Sequence, residues 1–217
     1  MSLIVLCDFD GTAVDINTCD FILKKFAKRN WRIFDEQLER EEITLEECLQ
    51  KQFSLIRVPK TRMLEEIEQV TSVRQNFEKL VKCCRTRGLS LVLVSAGLDF
   101  VIKNFLQLKG WSGLIEVYAP KSRCTINGIK FKFPKLLDET SVNFKDDLVR
   151  YYKKQGKKVV YVGDGFPDYH PARNADFPFA IKGSKLAALL KRDGIPYKEI
   201  SDFEEVVEAI NASNSHK

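Results

Sequence analysis

Apolar residues along this chain follow two spacings. Near-continuous runs stand at 3–7 (Leu3-Ile4-Val5-Leu6-Cys7), 89–94 (Leu-Ser-Leu-Val-Leu-Val), 158–162 and 177–181, separated by stretches of helical character. Such runs predict strands of a parallel sheet covered on both faces: an α/β, doubly wound (Rossmann-like) core. From about Asp15 to Val73 no strand signal occurs. That segment divides into amphipathic helices marked by Phe21, Ile22, Lys25 and Phe26, by Leu38 onward, by Leu45, Leu49 and Phe53, and by Leu64, Ile67 and Val70. Thr44 and Glu47 have the spacing of a capping box, and Pro59 marks the break where the next helix starts. A crossover needs only about a dozen residues. The surplus therefore predicts a small inserted helical cap at 15–75, over a core made of 1–14 and 76–217.

Beyond residue 113 the pattern changes to alternation. Phe131 and Phe133 alternate with Lys130 and Lys132, and Asn127-Gly128 is the two-residue turn of an expected hairpin. Helices are expected at 143–155, stopped by Gly156, at 184–193, before Gly194, and at 202–211, opened by Ser201 or Asp202. The polar tail from Asn211 to Lys217 is expected to fray.

Composition adds exclusions. With 217 residues, 44% hydrophobic and 30% charged, the chain suits one globular domain with an insertion. The net charge of +5 is dispersed, since basic and acidic residues alternate almost everywhere. The densest basic stretch, Lys153-Lys154 with Lys157-Lys158, ends a helix, where the dipole favours cations. Only Tyr151 and Tyr152 stand near it, so neither a nucleic-acid nor a membrane partner is expected. No apolar run approaches the length of a membrane span, and no signal peptide is expected ahead of the first strand. Cys7, Cys19, Cys48, Cys83, Cys84 and Cys124 form no CxxC pair, which favours a cytoplasmic protein with reduced thiols. Histidine chemistry is not expected, because the chain has only His170 and His216.

The candidate chemistry sits at strand ends. Asp8-Phe9-Asp10-Gly11-Thr12 follows the first strand and places two carboxylates at a carboxyl edge, where open α/β sheets bind ligands. Acids this close repel and call for a cation. A second acidic group, Gly163-Asp164-Gly165-Phe166-Pro167-Asp168, follows the third strand and can share it. Together they indicate a Mg²⁺ site suited to phosphate. Ser95-Ala96-Gly97, at the end of the second strand, offers a hydroxyl and backbone N–H groups to an anion. Lys145 opens the helix leading into the third strand; Lys135, Lys153, Lys154, Lys157 and Lys158 are alternatives nearby. Each feature alone also reads as an N-cap, a plain turn or a solvated lysine.

The four in this order resemble the motifs of the haloacid dehalogenase-like (HAD) phosphatase superfamily. The pattern Ala175-Asp176-Phe177…Ala180, then Gly194-Ile195-Pro196-Tyr197 and Asp202-Phe203, is similar to the branch of phosphoserine phosphatase and 2-hydroxy-3-keto-5-methylthiopentenyl-1-phosphate phosphatase. The resemblance implies Mg²⁺-dependent hydrolysis of a small phosphorylated metabolite through an aspartyl phosphate. It implies Asp8 as nucleophile, Asp10 as general acid and base, and Gly11, Ser95, Ala96, Gly97 and Lys145 around the phosphate. Asp8, the Asp10 main-chain carbonyl and Asp164 would hold Mg²⁺, with Asp168 in support. The alternatives are a phosphotransferase or phosphomutase on the same scaffold, and a non-enzymatic phospho-acceptor or binding protein. Serine-specific relatives carry a Glu where Asp15-Ile16-Asn17-Thr18 stands, leaving Asp15 or Asp20 as substitutes, and Pro167 and Tyr169 are expected to narrow the site.

Overall fold

A computed structural model describes residues 2–212. The 213–217 part of the expected frayed tail, His216 included, lies outside the described residues. Strands β1 (Leu3–Cys7), β2 (Ser90–Val94), β3 (Glu116–Tyr118), β6 (Lys158–Gly163), β7 (Phe177–Ile181) and β8 (Lys198–Ile200) form one six-stranded sheet, β4 and β5 a separate ribbon. The order β3-β2-β1-β6-β7-β8 is parallel throughout. The chain builds outward from β1 to one side, then crosses back to build the other. Ligand crevices of open α/β sheets lie at such a reversal.

Pleating divides the apolar runs between two faces. Ile4 and Leu6 join Val92, Val94, Val159 and Tyr161 on one side; Val5 and Cys7 join Leu91, Leu93, Val160 and Val162 on the other. The first face is covered by α7 (Phe144–Lys154), α8 (Tyr169–Asn174) and α9 (Lys185–Arg192). The second is covered by α5 (Phe77–Thr86), α6 (Asp99–Leu108) and α10 (Glu204–Ala212). Ile4, Val5 and Leu6 are fully buried, each contributing roughly 1.5–3 kcal/mol. That double burial explains why the central strands read as unbroken apolar runs.

The four expected strands occur where the pattern puts them. β3 and β8 had no such signal: each is a three-residue edge strand with charged residues, defined by its neighbour's backbone. The hairpin forms from β4 (Lys121–Thr125) and β5 (Gly128–Lys132), but Thr125 pairs with Gly128. Its turn is therefore Ile126-Asn127, one residue earlier than expected.

The 15–75 segment carries α1 (Thr18–Phe26), α2 (Arg32–Glu39), α3 (Leu45–Phe53) and α4 (Lys60–Glu68). Leu38 lies in the last turn of α2 instead of opening a helix. The Thr44–Glu47 capping box is present in both directions, at 3.1 and 2.9 Å, and Pro59 caps α4. The two ends of the segment are stitched together: Val14 bridges Val73, Asp15 N–H donates to Ser72 O at 3.1 Å, and Arg74 N–H to Ala13 O at 3.0 Å.

Helix α3 docks on the ribbon. The Gln50 amide donates to Ile129 O and accepts from Phe131 N–H, both at 3.1 Å, and the Phe53 and Phe131 rings meet edge-on at 5.4 Å. Gly128 has φ of +110°, and a Cβ there would stand 2.5 Å from Ser54 O. It is a close-approach glycine, not merely a turn residue. Gly128→Ala should therefore cost about 1–3 kcal/mol of stability in denaturant unfolding; wild-type stability would show that α3 does not press on the ribbon.

Candidate active site

The site lies at the carboxyl end of β1. Asp8 leaves the strand with its N–H still bonded to Val162 O at 2.8 Å. The chain then makes a wide turn, Ala13 N–H to Asp8 O (3.3 Å) and Val14 N–H to Phe9 O (3.1 Å), which faces both carboxylates inward. Gly11 takes φ of +75° here, and any Cβ would run into the Asp164 carboxylate. Arg74 holds the turn from outside, donating to Thr12 O at 2.8 Å and Gly11 O at 2.7 Å.

Lys145 Nζ stands between Asp8 Oδ1 (2.6 Å) and Asp168 Oδ1 (2.7 Å), and all three residues are under 5% exposed. Asn143 caps α7 by accepting from the N–H groups of Lys145 and Asp146, each at 3.0 Å, and so aims the lysine. Four of the five competing lysines are engaged elsewhere: Lys153 on Asn174 O, Lys154 on Asp138, Lys157 over Tyr152 and Lys158 on Asp176. Asp168 also accepts from Tyr161 Oη (2.7 Å), Gly165 N–H (3.0 Å) and Asp164 N–H (3.2 Å). Its oxygens are thus occupied, and it positions Lys145 and the 164–165 turn.

Asp10 is held differently. Its Oδ1 accepts from Thr18 N–H at 2.8 Å and from the Thr18 hydroxyl. Its Oδ2 meets Ser95 Oγ at 3.5 Å, while Gly97 N–H donates to Ser95 Oγ at 2.9 Å. The Gly97 donor expected to be free is therefore bonded to the serine. Ser95, Ala96 and Gly97 face the same cavity as Asp8, Asp10 and Lys145; its volume is about 290 Å³.

Burial sets the electrostatics. It raises Asp8, an effect that Lys145 opposes and Asp168 and Asp164 reinforce. It likewise raises Asp10, against the Thr18 hydrogen bonds. Asp164 is pushed up to about 7, first by burial and then by the charge of Asp168. Burial alone would lower Lys145, but Asp168 and Asp8 overcome it and raise the ammonium. Asp8, Asp164 and Asp168 offer oxygens within 4.8 Å of one another. Crowded carboxylates with a single ammonium and hard oxygen donors fit a divalent cation such as Mg²⁺. The Asp10 carboxylate is turned to Thr18 and lies outside that cluster.

Thr12, the last residue of the first motif, donates to Asp164 at 3.2 Å. Other supporting groups had no sequence signal: Thr18, Arg74 and Tyr161 are ordinary polar residues until folding brings them to Asp10, the Asp8–Thr12 turn and Asp168. Asp15 stays with Ser72 and Arg74 at the segment's base, whereas Asn17 and Asp20 line the cavity. Pro167 lines it too, but Tyr169 turns away to Asp193 and packs on His170. Among the described aromatic residues, Phe166 alone faces the cavity.

Residues 5–173 match the sequence profile of the haloacid dehalogenase-like hydrolases. The chain belongs to that family. This hydrolase is 27% identical over 216 residues to the 2-hydroxy-3-keto-5-methylthiopentenyl-1-phosphate phosphatase of Geobacillus kaustophilus (strain HTA426), covering 96% of this chain and 95% of that one. It is 26% identical to the protein of the same name from Brevibacillus brevis (strain 47 / JCM 6285 / NBRC 100599), covering 94% and 93%. In fold, the hydrolase resembles a structure described as a phospho-aspartyl intermediate analogue of phosphoserine phosphatase. The TM-score is 0.70 at 20% identity, over 96% of this chain and 98% of that one.

The raised Asp164 has a thermodynamic consequence. Its ordinary value is 3.8 and its folded value about 7. Between these the folded chain holds a proton that the unfolded chain has released, so this contribution to stability falls as pH rises. In chelator, the melting temperature should decline across that window for the hydrolase and decline less steeply in Asp164→Asn, where Asp8 and Asp10 still contribute. Superimposable profiles would remove this origin.

Proposed function

We propose that this hydrolase cleaves the phosphomonoester of a small metabolite through an aspartyl phosphate on Asp8. The observation carrying this reading is the convergence of Asp8, Asp10, Ser95 and Lys145 on one cavity of about 290 Å³.

Asp8 attacks phosphorus as the ester P–O bond breaks, and the departing alkoxide takes a proton from Asp10. Burial, by raising Asp10, favours the acid form this step needs. Asp10 then accepts a proton from water as that water attacks the aspartyl phosphate, releasing inorganic phosphate and restoring Asp8. Ser95 Oγ, oriented by the Gly97 N–H, and the Ala96 backbone hold the phosphoryl oxygens. Lys145 offsets their charge while keeping Asp8 in place. Mg²⁺ held by Asp8, the Asp10 carbonyl and Asp164 would neutralise charge on the transferring oxygens. Residues 15–75 act as a cap whose α1–α3 roof the site and limit water. Six free cysteines fit a reducing compartment such as the cytoplasm. The names of the relatives support a methionine-salvage type of phosphoester as substrate.

With an aryl phosphate, turnover should require Mg²⁺, stop with chelator, and fall by roughly 10³-fold or more in Asp8→Asn. Circular dichroism should show the variant folded. Retained turnover in folded Asp8→Asn would eliminate the covalent route.

A further inference from the structure

Beyond the phosphate end, the cavity is walled by cap residues of two kinds. Leu23, Leu45 and Leu49 supply an apolar wall, and Asp35 with Gln52 the polar groups among them. Gln52 on α3 is 4% exposed and donates from Nε2 to Asp35 Oδ1 at 2.7 Å. Cys48 Sγ stands 4.0 Å from the same oxygen. Among the described residues no donor reaches Asp35 Oδ2. Asp20 and Glu39 line the cavity as well. Among the described residues two cations line it: Lys185, paired with Glu39, and Lys145, held between Asp8 and Asp168. A substrate tail therefore meets Asp20, Asp35 and Glu39 and no uncommitted cation.

Resting on the phosphatase reading above, we propose that this end of the cavity selects phosphoesters by charge. It accepts a partly apolar tail that offers Asp35 a hydroxyl or ammonium donor, and rejects a tail bearing a carboxylate. The physical reason is asymmetry in what burial leaves unmet. A donor on the tail bonds Asp35 Oδ2 while methylene groups cover the leucine wall. A carboxylate would lose water, face like charges and find no partner. Burial, which already raises Asp35 to about 6, shows how poorly this end tolerates further negative charge. The inference separates two substrate classes that the fold alone does not, since phosphoserine carries a carboxylate.

Two matched pairs of esters isolate that group. Phosphoethanolamine and O-phosphoserine differ by one carboxylate; glycerol 3-phosphate and 3-phosphoglycerate differ by a hydroxymethyl in its place. In each pair kcat/KM should be at least tenfold higher without the carboxylate, and comparing the pairs separates ammonium from hydroxyl donors. Asp35→Asn should narrow both ratios by at least threefold. Asp20→Asn, at an exposed position that the fold tolerates, should narrow them less but in the same direction. Equal turnover within the pairs, or ratios indifferent to both variants, would overturn the proposal. So would turnover of an aryl phosphate with none of the four esters. Failure on the aryl phosphate as well would instead bring down the phosphatase reading, and this inference with it.

Discussion

One buried ammonium organises the centre of this molecule. Lys145 Nζ lies within 2.7 Å of both Asp8 and Asp168, all three nearly free of solvent. Burying such charges is costly unless they are paired and otherwise hydrogen-bonded, and removing one partner of a buried pair typically costs about 3–5 kcal/mol. Here the pairing ties together three separate pieces of chain: the end of β1, the first turn of α7 and the turn after β6. The Asn143 cap aims the lysine, and Tyr161 with the 164–165 amides saturates Asp168. The sheet reversal is thus held by the same charges that would do the chemistry.

That arrangement also divides labour among four acids of one type. Asp168 is saturated with donors and positions its neighbours. Asp164 takes one donor, Thr12 Oγ1 at 3.2 Å, and is raised by burial. Asp10 is fixed through Thr18 on the first helix of the insertion. Asp8 keeps one oxygen on Lys145. Environment, not residue type, distinguishes these four carboxylates. Because Thr18 lies within the insertion, placing α1 over the strand ends also places the Asp10 carboxylate.

The insertion contributes the other half of the cavity. Its stitched base, from Val14–Val73 to the Arg74 clamp, fixes where the helices rise, and α3 is anchored on the β4–β5 ribbon by Gln50 and by the room Gly128 leaves for Ser54. These contacts bring Asp35 and Gln52 to the cavity that Asp8 and Lys145 also line.

Sequence alone determined what depends on local pattern. Central strands buried on both faces read as apolar runs, so β1, β2, β6 and β7 were legible, as were the acids at their ends. So was Lys145, whose place at the start of α7 follows from the Asn143 cap and the Gly156 stop. Tertiary structure decided the rest. The edge strands β3 and β8 exist because a neighbouring backbone pairs with them, and the hairpin turn moved by one residue because Gly128 was needed against Ser54. Thr18, Arg74, Tyr161, Asp35 and Gln52 became site residues only through partners distant in sequence. Periodicity records which face of an element is buried; it carries no record of what a side chain will meet there.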